Sequence, residues 1–468
     1  MIESLLTVAF WLSSALTLII LLLPSQYASD SSQTRDGPSA GQEAAARPKV
    51  SVQVLVLGDI GRSPRMQYHA LSIAKRGGRV DLIGYQESDV HPDISSNPRI
   101  SIVPLPPHPA FLQTSNKALF LVFGPLKVLF QILSLWDFLA YRTAPAKWLL
   151  VQNPPSIPTL AVASLVCFLR NTRLVIDWHN FGYSILTLKL GNSHPLVKLS
   201  SWYERTLCRY ATAHLCVTKA MARVLQREFS IKSPILPLHD RPANHLQPIS
   251  DRQAQLDFLA SLEETAAVRP SLESGDLKIL VSSTSWTADE DFSLLIAALS
   301  RYSELASTSK PHLPEILAII TGKGPQRDAY LKEISDRKSA GELQKVTIKS
   351  TWLSTTDYAK LLASADLGVS LHTSSSGVDL PMKVVDMFGA GLPVVGWNRF
   401  EAWPELVTDG VNGRGFGSSE ELVEHLVDLF ENATKLEGLR AGARKEGSRR
   451  WDDEWDPVAG KLFGLVDA

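Results

Sequence analysis

The stretch Leu367–Asp386, LGVSLHTSSSGVDLPMKVVD, reads as a strand, a loop of small residues and a helix. LGVSLH is apolar and ends at His372, and Thr373 to Gly377 are small. Asp379-Leu380-Pro381 then opens the helix, with proline where a missing N–H leaves no bond unmade. The first turn of such a helix offers free backbone N–H groups and the positive end of its dipole, which favours a diphosphate. Lys383 falls in that turn and adds a full charge. Asp386, three residues on, shares its helical face, where a carboxylate can accept hydrogen bonds from ribose hydroxyls. Ser375, Ser376, Gly377 and Asp379 are read as lining the same loop. A capped surface helix with an ordinary Lys/Asp pair explains the stretch about as well, so the neighbouring loops decide.

Two of those loops follow strand-like runs of the same half of the chain. Ser282-Ser283-Thr284-Ser285-Trp286 follows Ile279–Val281, and Thr321-Gly322-Lys323-Gly324-Pro325 follows Glu315–Ile320. Ser283, Thr284, Trp286, Gly322, Lys323 and Gly324 supply hydroxyls, free amides and a cation. The GxxxxGK[ST] spacing is absent, so a phosphate contact by Lys323 is expected without P-loop hydrolysis. Trp352, after a third strand, is a candidate to stack on a base, with a core tryptophan as the competing reading. Asp289-Glu290-Asp291 matches the DxD pattern of divalent-ion sites, but Thr287 and Glu290 form a T-x-x-E capping box. A helix cap, and therefore no metal, is expected there.

Working outward, strand-like and helix-length segments alternate through both halves, which implies parallel sheets covered on both faces. The first lobe, 49–240, holds Val50–Leu57, Val80–Ile83, Trp148–Val151, Leu174–Ile176 and His214–Val217. The second, 277–450, holds Ile279–Val281, Glu315–Ile320, Val346–Ile348 and Leu367–Leu371. Residues 241–276 are read as the connection and 451–468 as a tail. Two doubly wound lobes place ligands in the cleft at the carboxyl ends of their strands. The first lobe is therefore expected to supply a general base, with Asp59, Asp177 and His179 as candidates. A turn role for Asp59 and a pocket role for His179 compete. Gly58, Gly61, Arg62, Arg65 and His69 are read as facing a second substrate's phosphates, or as a solvated helix face.

The chain has 468 residues, 45% apolar and 20% charged, with a formal net charge of −1, which excludes a disordered chain and gives no support to nucleic-acid binding. Only Cys167, Cys208 and Cys216 occur, too few and too scattered for a disulfide framework or a structural zinc site. Leu5 to Leu23 is uncharged and would form a helix about 28 Å long, enough to span a bilayer. The leading MIE carries no Lys or Arg and no clear A-x-A site follows, so residues 1–24 are read as an anchor rather than a cleaved signal peptide and 25–48 as a flexible tether. Arg35, Arg47 and Lys49 after the span place the body in the cytosol. A second apolar stretch, 118–140, is interrupted by Gly124-Pro125, Lys127, Gln131 and Asp137. It is expected not to span, and to lie in the membrane interface or in the lobe core.

Five blocks in this order, VLGDIGRSPRMQYHA, DWHNFGYSIL, SSTSWTADEDF, ITGKGP and DLGVSLHTSSSGVDLPMKVVDMFGAGLPV, closely resemble the chitobiosyldiphosphodolichol β-mannosyltransferases of asparagine-linked glycan assembly. The resemblance covers nearly the whole chain from Val54. It implies an α/β GT-B fold, two Rossmann-like doubly wound domains facing a cleft, behind an N-terminal transmembrane helix. It also implies transfer of mannose from GDP-mannose to GlcNAc2-diphosphodolichol with inversion to β, without metal or other cofactor. The implied setting is the endoplasmic reticulum membrane, single-pass, with a lumenal N-terminus and a cytosolic body, and with other mannosyltransferases of the pathway as candidate complex partners. Many retaining relatives carry a Glu-x7-Glu pair here, but Val378 stands eight residues before Asp386, so that pair does not transfer. The rival readings are another GDP-mannose transferase of the same pathway and a catalytically silent, membrane-tethered assembly partner.

Overall fold

The computed structural model describes residues 2–27, 48–112, 117–287 and 289–467. Strands β1 (Ser51–Asp59), β2 (Arg79–Tyr85), β3 (Ile100–Pro104), β4 (Trp148–Asn153), β5 (Arg173–Trp178), β6 (Ala213–Cys216) and β7 (Ile235–Pro237) form the first sheet, in the order β3-β2-β1-β4-β5-β6-β7. Strands β8 (Leu277–Ser283), β9 (Glu315–Thr321), β10 (Val346–Thr351), β11 (Leu367–Ser370), β12 (Val394–Trp397) and β13 (Gly413–Phe416) form the second, in the order β10-β9-β8-β11-β12-β13. All pairings are parallel. In β1, Val52 to Leu57 are buried without a break, as a strand covered on both faces requires. Both sheets reverse order beside their first strand, and the loops singled out in the sequence leave the carboxyl ends near those reversals.

The segment 241–276 is folded rather than extended. Its helices Arg252–Ser261 and Arg269–Ser274 bury Leu256, Leu259 and Leu272, and Gln255 Nε2 donates to the Ala363 carbonyl at 3.2 Å. The residues read as a tail return to the first lobe. Helices Trp451–Trp455 and Lys461–Phe463 bury Trp455 and Phe463 against Val52, Val54 and Trp148, where the two rings remove a large apolar area from water. Trp455 Nε1 donates to Nδ1 of fully buried His69 at 2.9 Å. Trp455→Phe strips His69 of that donor and is expected to cost about 1–3 kcal/mol, read as a fall in melting temperature with the sheets intact by circular dichroism.

The amino-terminal helix Ile2–Leu21 exposes Leu6, Phe10, Trp11 and Leu12. The chain then docks on the first lobe: Tyr141 Oη donates to the Leu22 carbonyl at 2.7 Å, and Arg170 Nε to the Ser25 carbonyl at 3.1 Å. Most of the tether, with Arg35 and Arg47, lies outside the described residues. Phe123–Arg142 is long and apolar enough to cross a membrane by length and composition. Its second half nevertheless packs Leu135 and Leu139 into the lobe core, which a crossing helix would have to abandon.

Candidate active site

The loop after β11 is tied by Asp379, whose carboxylate faces His372 Nε2 at 3.0 Å and accepts from Ser374 and Ser376. Burial acts to raise its pKa, but these bonds hold it below the ordinary carboxylate value. Asp379 therefore shapes the loop from beneath. The helix Met382–Gly389 follows, and Pro381 gives its amino end no side-chain cap. Lys383 in its first turn pairs with Glu290, which is 2% exposed. Glu290 also accepts from Thr284 Oγ1 at 2.6 Å and from the Ser285 N–H at 2.8 Å. The capping box expected of Thr287 and Glu290 does not form. Asp291 caps the helix Phe292–Ser307 instead, accepting from Ser293 N–H at 3.0 Å, and this frees Glu290 to turn inward. Among the described residues no group of three or more His, Cys, Asp or Glu is placed to hold a metal ion.

Two expected contacts in this lobe prove structural. Trp286 is fully buried on Phe292 and donates its Nε1–H to the Gly322 carbonyl at 3.2 Å, so its ring cannot reach a ligand. The Thr284 hydroxyl is spent on Glu290. Gly322 sits at φ +145°, where a Cβ would fall 1.8 Å from the Thr284 carbonyl oxygen, and this close approach brings the two loops together. Trp352 is no core residue: it is 64% exposed, and Lys323 Nζ lies 4.5 Å over its ring. Asp386 is half-buried beside Tyr358, whose hydroxyl also meets Ser283 Oγ at 3.0 Å. Burial pushes the Asp386 pKa up to about 7, against the lowering effect of the Tyr358 hydroxyl. From the other lobe Tyr68 approaches closely enough that, after burial, Asp386 is the main cause of its raised pKa.

In the first lobe Asp177, next to last in β5, is fully buried. Both its oxygens accept from Arg65, at 2.8 and 2.9 Å, and Oδ2 lies 2.9 Å from His179 Nε2 and 3.3 Å from His69 Nε2. Burial acts to raise its pKa, but Arg65 and His179 hold it well below the carboxylate range. Asp177 is thus an anchor, and the expectation that it serves as a base fails because no proton acceptor so stabilised as the anion is effective. Asp59 fails similarly, accepting from the N–H groups of Gly61, Glu87 and Ser88 at 3.1–3.2 Å, as a turn residue does. Its pKa is lowered despite burial. Gly61 lets Ser88 and Asp89 close over that turn, since a Cβ would meet their carbonyl oxygens at 2.7 and 2.6 Å.

Arg65 and His69 do not face a substrate. Arg65 is 5% exposed and also binds Asp240 and the Leu238 carbonyl, and His69 is sealed under Trp451 and Trp455. Burial, more than the opposing pull of Asp177, lowers the His69 pKa. Arg62 alone of the basic trio is solvent-exposed, with a contact to Ser88 Oγ at 3.3 Å. His179, with a quarter of its side chain exposed, is the candidate base that remains open to the cleft.

The lobes meet through residues that carry no sequence signal. Asn180 Nδ2 donates to Ser375 Oγ at 3.1 Å, and Thr218 Oγ1 to the Val378 carbonyl at 2.5 Å, so the residues after His179 touch the loop before Lys383. Buried Glu204 accepts from Asn153 and from the Gly182 N–H at 2.8 Å, fixing the helix that follows His179. Glu405 reaches across to accept from Lys219 and Ala220 N–H, both at 2.6 Å.

Comparison with known proteins agrees with this architecture. Residues 60–239 match the glycosyl transferase 4-like domain and residues 277–432 the glycosyl transferases group 1 family. The crystal structure of Anabaena Alr3699/HepE in complex with UDP and glucose superposes with a TM-score of 0.58 over 88% of this chain and 98% of that one, at 15% identity, which shows the GT-B fold alone. Curated relatives named chitobiosyldiphosphodolichol beta-mannosyltransferase are 51% identical in Arthroderma benhamiae, over 96% of both chains, and 41% identical in Mus musculus, over 86% of both. At that identity over nearly its full length, the chain belongs to the chitobiosyldiphosphodolichol beta-mannosyltransferase family.

Proposed function

We propose that this protein transfers mannose from GDP-mannose to the 4-hydroxyl of the distal GlcNAc of GlcNAc2-diphosphodolichol, inverting to a β-1,4 linkage on the cytosolic face of the endoplasmic reticulum. The observation that carries the reading is the uncapped helix Met382–Gly389 with Lys383 in its first turn, joined across the cleft to the His179 segment through Asn180 and Ser375. Ionised Asp177 accepts the Nε2–H of His179, which leaves Nδ1 to take the proton of the attacking hydroxyl. Charge develops on departing GDP, and the helix amides, Lys383 and Lys323 stabilise it without a metal. The purified full-length protein is incubated with GDP-mannose and phytanyl-linked chitobiose diphosphate in chelator. A β-mannosidase-sensitive product supports the proposal, an α-mannosidase-sensitive one points to another transferase of the pathway, and no transfer points to a silent partner. Co-purification with other mannosyltransferases of the pathway tests the expected complex.

Asp386 gives this reading a pH signature. Its carboxyl titrates near neutrality, and ribose hydroxyls donate better to the anion, so GDP binding strengthens as pH rises through about 7. Isothermal titration with GDP is expected to show that rise, and Asp386→Asn to flatten it relative to the ionisation of GDP itself. An unchanged slope in the variant removes Asp386 from the ribose.

A further inference from the structure

We propose that Tyr85, His108 and Gln131 form a subsite for a neutral sugar ring of the acceptor, the N-acetylglucosamine joined to its diphosphate; the identity of that acceptor rests on the proposed function. Tyr85 closes β2, His108 lies in the loop Leu105-Pro106-Pro107-His108-Pro109 after β3, and Gln131 lies on the helix Lys117–Asp137. Three separate elements thus bring polar side chains together at the carboxyl edge of the first sheet, where doubly wound lobes bind their ligands. The Tyr85 hydroxyl and Gln131 Nε2 each stand 3.5 Å from His108 Nε2, and the Tyr85 and Phe130 rings lie 5.4 and 5.8 Å from the imidazole. All four side chains are half-buried. Polar groups that hold a fold together close to about 2.9 Å. At 3.5 Å the phenol and the amide keep hydrogen-bonding capacity for a further partner.

The charges around the cluster select a neutral ring. Burial raises the Tyr85 pKa, with Gln131 opposing it and the Glu87 carboxylate adding to it, so the phenol stays a donor. Burial and then Lys127 lower the His108 pKa, against a smaller opposite effect of Glu87, so the imidazole is neutral at physiological pH. Because Glu87 acts on both groups, an anion seated directly on them meets a carboxylate, whereas sugar hydroxyls and an N-acetyl amide meet donors and acceptors. Exposed Lys127, one helical turn before Gln131, stands beside the cluster for the diphosphate that follows the ring. The position fits the length of the acceptor. From β2, which ends in Tyr85, to β5, which precedes His179, the sheet takes three interstrand steps, β2-β1-β4-β5. That separation is about 14 Å, too far for the ring that carries the attacking hydroxyl and within reach of the ring behind it.

The test measures binding alone, with full-length protein in detergent micelles and no sugar donor, so its outcome is separate from that of the transfer assay. Phytanyl diphosphate bearing two, one or no N-acetylglucosamine rings is titrated into the unaltered protein, Tyr85→Phe, Gln131→Met and, as a control at an exposed position of the second lobe, Val411→Ser. Tyr85→Phe and Gln131→Met keep the shape of the side chain and remove its hydrogen bonds. Each is expected to weaken binding of the one-ring and two-ring probes by about 3–10-fold, the usual worth of one hydrogen bond, and to leave the bare diphosphate lipid unchanged. Affinity for GDP is expected to match that of the control, which reports an intact fold. The inference is overturned if both variants bind the one-ring probe as the control does, if binding of the bare lipid weakens equally, or if GDP affinity falls in parallel, which makes the cluster a packing element. Transfer without any ring-dependent loss keeps the proposed function and removes this subsite, and failure of the unaltered protein to bind either ringed probe removes both.

Discussion

Lys383→Ala is expected to lower turnover with GDP-mannose by about 10²–10³-fold, the usual effect of deleting one preorganised donor at a site of developing charge. The helix terminus holding Lys383 carries no side-chain cap, and in the proposed mechanism its amides and this ammonium act with Lys323 on the leaving diphosphate. The ammonium pairs with Glu290, itself fixed by Thr284 and Ser285. Removing Lys383 alone also strands a buried carboxylate, and part of any loss could then come from a loosened loop. Lys383→Met combined with Glu290→Gln separates the two effects: melting temperature recovers towards that of the unaltered protein, while turnover stays low. Normal turnover in Lys383→Ala, or full recovery in the double variant, removes the lysine from the leaving-group site.

The second large effect distinguishes an anchor from a base. Asp177→Asn leaves Arg65, which is 5% exposed, without its main anion and is expected to destabilise the fold by about 3–5 kcal/mol. The same carboxylate titrates well below its unfolded value, so it contributes stability above pH ~4 that is lost as pH falls further, and the Asn variant lacks that acid dependence. His179→Ala removes a partly exposed ring and is expected to change stability by only about 0.5 kcal/mol while turnover falls by about 10²–10⁴-fold. Equal melting temperatures in the wild-type protein and Asp177→Asn would contradict the buried anchor. Retained turnover in His179→Ala would return the search for the base to the rest of the cleft.

The interior strands were legible because a parallel strand covered on both faces leaves an uninterrupted apolar run such as Val52 to Leu57. The edge strands β3, β7 and β13 were not, since each is only three to five residues long and lacks that run. Among the site residues, Lys383 and Asp386 could be placed from helix spacing alone. Glu290 was misread because T-x-x-E is a local signal, and the pull of Lys383 from 93 residues away overrides it. Arg65 and His69 look like a basic helix face in one dimension. Only the return of Trp451 and Trp455 to that helix, and the arrival of Asp177 beneath it, buries them.

The sequence by itself determined two doubly wound lobes, a helix start with Lys383 in its first turn after β11, and the family, because strand runs, small-residue loops and helix starts are local features. The tertiary structure decided which charged residues face the cleft and which are sealed beneath it. Asp177, His179, Arg65 and His69 carry equally suggestive side chains. Their roles separate only when burial and partners far away in sequence fix which proton can move.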